Sequence, residues 1–133
     1  MKLSLYQKNI MLRAIKNKKI DGQVKILFLI ELLYYNAISL KVANTLLEQY
    51  ISVSEDAEEN LKELLKLIAE GNITLEEIKG NLAQNVLTEK LKNIEAKADV
   101  VYMLYDKKGT AFLLALAGMV LAILSAIGIL SIF

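Results

Sequence analysis

The chain of 133 residues contains no proline, no cysteine and no histidine. At an average usage of about 5%, roughly six or seven prolines would be expected, so the usual helix breaker is missing. Without cysteine and histidine, the chain excludes disulfides, thiolate and imidazole metal sites, thiol catalysis and serine-histidine triads. Leucine, isoleucine, lysine, glutamate and alanine dominate instead. This composition predicts an all-α fold.

Patterns that carry chemistry are also scarce. The six glycines lie far apart and form no glycine-rich phosphate loop. Paired carboxylates occur at Glu58-Glu59 and Glu76-Glu77, but both pairs lie at predicted helix starts, where capping and solubility explain them. We therefore expect no catalytic residue, no metal, no cofactor and no enzymatic activity.

The net charge of +1 hides a segregation of charge along the chain. Residues 1–25 carry seven cations and one acid, whereas residues 45–80 carry nine acids and three lysines. Positive charge alone neutralises phosphate, so the basic segment predicts sequence-independent binding of nucleic acid or of an anionic lipid surface. A solvated helix face explains the same pattern. The candidate binding residues are Lys8, Arg13, Lys16, Lys18, Lys19 and Lys25.

Fifteen lysines accompany a single arginine in the chain. Arginine supplies the planar fork that reads guanine, so this ratio argues against recognition of specific bases.

Apolar spacing and capping residues predict about six short helices. Ser4 to Gln7 has the form of a capping box, and Asn36, Gly71-Asn72 and Asn85 to Thr88 have the form of helix-helix corners. The second helix has apolar residues at ten of the twelve positions 24–35, so we expect it to be buried on most sides. The helices are predicted from Leu5 to a stop at Asp21-Gly22 and over 23–35, 40–50, 55–70, 75–85 and 89–108.

The last of these helices carries an apolar seam for another helix, formed by Leu87, Leu91, Ile94, Ala98, Val101 and Tyr105. The same spacing continues past Gly109 into the C-terminal segment. If Gly109 does not break the helix, one rod of about 45 residues joins the bundle to that segment.

The final 23 residues, 111–133, contain no charged side chain. As a helix this segment, called the tail below, is roughly 34 Å long, which is enough to cross a bilayer core of about 30 Å. Gly118, Ala122 and Ala126 fall four residues apart, and other small residues lie on further faces of the predicted helix. Such spacing allows helices to pack closely, whereas the alternative is that alanine and glycine are simply frequent in apolar helices. The predicted self-association residues are Ala111, Ala115, Gly118, Ala122, Ala126 and Ile129.

Tyr102, Tyr105, Lys107 and Lys108 precede the tail and match the aromatic and cationic fringe of a membrane span. If the tail spans a membrane, the two lysines predict that the bundle remains in the cytoplasm. The apolar run of suitable length lies at the carboxyl end, so no amino-terminal signal peptide is expected.

Two resemblances extend these expectations. Residues 61–78, with the corner Gly71-Asn72-Ile73-Thr74-Leu75-Glu76-Glu77, resemble the helical hairpins called SHOCT domains, which implies oligomerisation. Ile78 stands where that family usually has an aromatic residue. The basic segment 8–25, the bundle 23–108 and the tail together resemble the small α-helical major coat proteins of archaeal tailed spindle-shaped viruses, which implies a virion protein.

We therefore predict a helical bundle over 1–108 and a hydrophobic helix over 109–133. The leading hypothesis is a viral coat protein whose partners are many copies of itself, with nucleic acid or lipid at the basic helix. The alternative is a tail-anchored membrane protein that acts as an adaptor or forms a pore. A lipid-associated organiser of nucleic acid is a third hypothesis.

Overall fold

A computed structural model describes the backbone of residues 3–71 and 85–109 and the side chains of 3–71 and 93–109. Within these ranges the chain is all-α and contains no strand. The predicted helix over 75–85 lies, except for its last residue, outside the described residues, and so does the tail. The helices are α1 (Leu5–Lys16), α2 (Gly22–Tyr34), α3 (Leu40–Tyr50), α4 (Glu55–Ala69) and α5 (Asn85–Tyr105).

Capping side chains start four of the helices. The capping box at α1 is confirmed, because the Ser4 hydroxyl accepts from the Gln7 amide at 3.1 Å and the Gln7 side chain accepts from the Ser4 amide at 3.0 Å. Asp21, Ser39 and Ser54 cap α2, α3 and α4 through side-chain oxygens that accept from backbone amides.

The predicted corner at Asn36 is confirmed, and Gly71, the one described residue of the corner predicted at 71–74, has the expected backbone. Asn36 adopts a φ of 58° after α2, and Gly71 adopts a φ of 70° after α4, the left-handed conformation that closes a helix. The corner predicted at 85–88 is wrong, because these residues are helical and belong to α5. Asparagine and threonine are compatible with helix interiors, so a capping sequence alone does not end one.

α1 ends earlier than its pattern predicts. The helix stops at Lys16, and Asn17 takes an extended backbone with φ of −86° and ψ of 119°. The Asn17 side chain then accepts from the Lys19 amide at 3.0 Å, which forms a local turn in place of further helix. Asp21 therefore caps α2 and does not end α1.

The core is built around α2, which packs against α1, α3, α4 and α5. Its side chains from Val24 to Leu33 are all buried, as the continuous apolar run predicts. Burying a large apolar side chain contributes about 1.5–3 kcal/mol, so α2 supplies much of the driving force for folding. The other helices contribute single apolar faces, which include Ile10 and Met11 of α1, Leu47 of α3, Leu61 of α4 and Ala98 and Tyr102 of α5.

The sequence left open whether the last bundle helix continues through Gly109, and the structure shows that it does not. α5 ends at Tyr105, and Gly109 adopts a φ of 66°. A Cβ at Gly109 would meet no atom within 4 Å, so the glycine serves the left-handed backbone and not a close contact. The bundle helix and the tail are therefore separated by a defined break.

Candidate functional site

The hydroxyl of Tyr6 joins α1 to the segment that follows α5. It donates to Asp106 Oδ1 at 3.0 Å and accepts from the backbone amides of Lys107 at 2.7 Å and Lys108 at 3.2 Å. The Lys108 ammonium also lies 4.6 Å from the centre of the Tyr6 ring. Each neutral hydrogen bond contributes about 1 kcal/mol, so these contacts hold the chain between Tyr105 and Gly109 against α1.

A second contact joins the other end of α1 to Tyr105. The Asn17 side-chain amide donates to the Tyr105 hydroxyl at 2.6 Å, and the Arg13 guanidinium lies 5.1 Å from the centre of the Tyr105 ring. A cation over an aromatic face contributes about 0.5–1 kcal/mol at an exposed site. We call the surface formed by Tyr6, Arg13, Lys16, Tyr105, Lys107 and Lys108 the basic end.

A groove of about 420 Å³ opens at the basic end. Its floor is the surface of α1, and Tyr105 of α5 forms one wall. Two cations, Arg13 and Lys16, line it together with neutral and apolar side chains. The groove therefore combines positive charge, aromatic rings and apolar surface. Among the described residues, the groove is lined by Tyr6, Asn9, Ile10, Leu12, Arg13, Lys16 and Tyr105.

Five of the six predicted basic binding residues remain accessible. Arg13, Lys16, Lys18 and Lys19 are exposed and Lys8 is half-buried. Only Arg13 and Lys16 lie in the groove beside Tyr105, whereas Lys18 and Lys19 lie in the loop after α1.

Lys25 is a correction to the predicted set. Its side chain belongs to the central helix α2 and is 5% exposed, and its ammonium donates to the Tyr50 carbonyl oxygen at 3.1 Å. Burial lowers the pKa of this ammonium because the charged form loses solvation. Lys25 therefore lies apart from the groove at the basic end, in a separate pocket that Lys18 also lines.

Apolar side chains are exposed near the basic end. Leu5, next to Tyr6, is 72% exposed, and Leu104, next to Tyr105, is also 72% exposed. Val100 and Met103 are 59% and 65% exposed on the same helix as Leu104. Positions 100, 103 and 104 share one helix face, so the end of α5 presents an apolar stripe. The apolar seam that the sequence predicts for this helix does not include these three residues.

Glu31 is the most perturbed titratable group that the structure describes. Its side chain is 0% exposed in the middle of α2, and neither carboxylate oxygen accepts a hydrogen bond from the described part of the chain. Burial, and then the charge of Glu95 on α5, raise the pKa of Glu31 to about 8. The nearby Tyr35 hydroxyl is also buried without a described partner, and burial first, followed by the charges of Glu31 and Tyr34, raises its pKa to about 12.

Sequence reasoning missed Glu31 as a special residue, although a signal was present. Only Lys25 and Glu31 interrupt the apolar run of α2. An acid inside a helix that is buried on most sides must either reach the rim or be buried, and its position in the run could have identified it.

Of the two carboxylate pairs in the sequence, the structure describes one, and that pair lies near the start of a capped helix. Glu58 and Glu59 belong to the start of α4, which Ser54 caps. Elsewhere on the surface, Lys62 pairs with Glu48 at 2.7 Å, and this hydrogen bond raises the pKa of the lysine. Across 3–71 and 85–109, no group of three acidic side chains is arranged to hold a metal ion. Glu76 and Glu77 lie outside the described residues.

The six predicted self-association residues of the tail also lie outside the described residues. Among the helices of 3–71 and 85–109, none has the length and apolar character needed to cross a membrane.

Comparison with protein-family models, with curated proteins and with solved structures finds no significant match to this chain. The two family resemblances therefore remain predictions from the sequence.

Proposed function

We propose that this chain is a structural protein that assembles with copies of itself, most specifically as the major coat protein of a virus particle. The tail forms the main contact between copies, and the bundle is the head that each copy presents. The observation that carries the proposal is the exposed apolar stripe of Val100, Met103 and Leu104, which ends five residues before Gly109 and the charge-free tail.

The stripe supports assembly because exposed apolar side chains on one helix face favour burial against a partner. Covering a large apolar side chain contributes about 1.5–3 kcal/mol, so three of them supply a substantial part of a contact. Large apolar patches on a surface mark interaction sites. Together with the tail, the stripe gives each copy apolar surface in two adjacent parts of the chain.

The basic helix supports an anionic partner in the assembled particle. Four exposed cations of α1 and its following loop, Arg13, Lys16, Lys18 and Lys19, lie on the surface of the head. Packaged nucleic acid is one partner for this charge, since phosphate neutralisation requires no specific sequence.

The test compares two substitutions in the tail of the full-length chain. Ala122→Ile adds bulk to the predicted small-residue face. Ala117→Ile makes the same change on the opposite side, because a helix turns about 100° per residue. We expect Ala122→Ile to abolish ordered tubes or particles in negative-stain electron microscopy, and Ala117→Ile to retain them. The proposed packing of the tail is contradicted if both variants assemble, or if both lose assembly to the same extent.

A specific observation also favours the second candidate, a tail-anchored membrane protein. Tyr105, Lys107 and Lys108 precede the tail in the chain, and both lysines are exposed. Carbonate extraction of the expressed protein separates the two functions. Dispersed protein that stays in the membrane pellet without ordered particles supports the anchor, whereas ordered particles released from lipid support the coat protein.

A further inference from the structure

We propose that the groove at the basic end binds the phosphate headgroups of anionic lipids, so that this end of the bundle rests on an anionic lipid surface. The inference goes beyond self-assembly, because it assigns a ligand to α1 whether or not the tail packs against other copies. It rests on the groove geometry and on the exposed leucines beside it.

The charge of the basic end fits an anionic surface. Arg13 and Lys16 line the groove, and the exposed Lys107 and Lys108 are attached to α1 through Tyr6. The nearby acid, Asp106, is engaged by the Tyr6 hydroxyl and by the Lys108 backbone amide at 3.1 Å. Among the described residues that form these contacts, four cations therefore accompany one acid.

The apolar side chains favour lipid over nucleic acid as the source of phosphate. Leu5 and Leu104 are each 72% exposed and belong to the two segments that Tyr6 and Tyr105 join. A nucleic-acid backbone offers charge but no apolar region that would cover them. A lipid surface offers both, and tyrosine, lysine and leucine are the residues expected at such an interface.

The position of the groove along the chain points to the same partner. Gly109 is the last described residue, and the charge-free tail begins two residues later. The Tyr6 contacts hold Lys107 and Lys108, which precede the tail in the chain, against the helix that carries Arg13 and Lys16. The last described residues before the tail therefore lie at the basic end.

The experiment measures flotation of the full-length protein with vesicles of neutral phosphatidylcholine and with vesicles that also contain anionic phosphatidylserine. The readout is the ratio of the two partition coefficients, in which the contribution of the tail cancels. A cation near an anionic surface contributes about 1 kcal/mol, which is about fivefold in partitioning. We expect Arg13→Gln/Lys16→Gln to lower the ratio about 25-fold.

The matched control is Lys18→Gln/Lys19→Gln, which removes the same charge from exposed residues outside the groove. We expect this variant to keep a ratio within a few-fold of the unmodified protein. The charge-preserving variant Arg13→Lys/Lys16→Arg should also keep it, because attraction to headgroups requires positive charge and no fixed fork geometry. Circular dichroism melting of each variant monitors the fold.

Three results would overturn the inference. The first is a ratio close to one for the unmodified protein, and the second is an equal loss in the Lys18/Lys19 control. The third is retention of duplex DNA by the unmodified protein without any preference for anionic vesicles. Negative-stain microscopy of the same variants keeps the two proposals apart, since loss of lipid preference with intact particles rejects only the headgroup site.

Discussion

Among the described titratable residues, Glu31 has the pKa that departs furthest from its ordinary value, because its side chain is fully buried. It lies at the centre of the bundle without a described hydrogen-bond donor, and its pKa of about 8 keeps it largely protonated at neutral pH. A neutral acid costs far less to bury than a carboxylate, which explains how α2 tolerates it. The residue therefore links the stability of the core to pH.

The raised pKa of Glu31 predicts that the free energy of unfolding falls as pH rises. The folded chain holds a proton that the unfolded chain releases at its ordinary pKa of 4.5, so the contribution is complete below that pH and is lost as pH rises to about 8. The full effect is on the order of 5 kcal/mol. Thermal unfolding followed by circular dichroism between pH 5 and pH 9 measures it.

The variant Glu31→Gln tests this assignment because it removes the ionisable group at nearly constant volume. We expect it to melt well above the unmodified chain at pH 9 and close to it at pH 5, at matched protein concentration. Glu59→Gln, at an exposed position of α4, is the control for net charge. The same pH dependence in Glu31→Gln as in the unmodified chain would reject the assignment.

At the scale of elements, the ends of helices decide the layout of the chain. Side-chain caps start α1 to α4, and left-handed residues close α2 and α4. The end of α5 is different, because Tyr6 of α1 holds it by a hydrogen bond to Asp106, which lies 100 positions later in the chain. The break before the tail is thus set by both local and tertiary contacts.

A substitution at Gly109 tests whether the chain leaves the helical conformation between α5 and the tail. Its φ of 66° places it in the left-handed region, where a Cβ costs about 1–2 kcal/mol. We expect Gly109→Ala to lower the free energy of unfolding by about 1 kcal/mol. A continuous helix through this position predicts the opposite sign, a gain of about 1 kcal/mol, because alanine is the better helix former. Chemical unfolding monitored by circular dichroism distinguishes the two.

The capping pattern predicted much of this layout from sequence. Ser4, Ser39 and Asn36 were assigned their roles correctly because caps and left-handed turns involve residues only a few positions apart. The corner at 85–88 and the length of α1 were predicted incorrectly. In both places, several residues could start or stop a helix, and the local sequence does not rank them.

At the scale of the whole molecule, the surface has distinct regions. α1 and its following loop carry exposed cations, the start of α4 carries acids, and the end of α5 presents the apolar stripe. The basic end and the stripe both involve the last turn of α5. Interactions with other copies and with an anionic surface are therefore expected from the same part of the bundle.

The stripe predicts a concentration effect on assembly. Leu104→Glu replaces the most exposed side chain of the stripe with a charged one. Each contact between copies then loses about 1.5–3 kcal/mol, which raises the critical concentration for assembly roughly ten- to a hundredfold. Val42→Glu makes the same change in charge at an exposed apolar residue of α3. Sedimentation across a dilution series measures both, and equal effects would show that the stripe has no special role.

Composition and local patterns were sufficient to predict the all-α class, most of the described helix positions, several caps and the basic character of α1. These properties depend on composition, on a period of 3.6 residues and on neighbours within one turn. The burial of Lys25, the enclosure of Glu31 without a described partner and the contacts of Tyr6 and Tyr105 at the basic end depend on how the helices pack, and local patterns did not predict them. A sequence pattern shows which face of a helix is apolar, but the partner that covers a charge is distant in the chain.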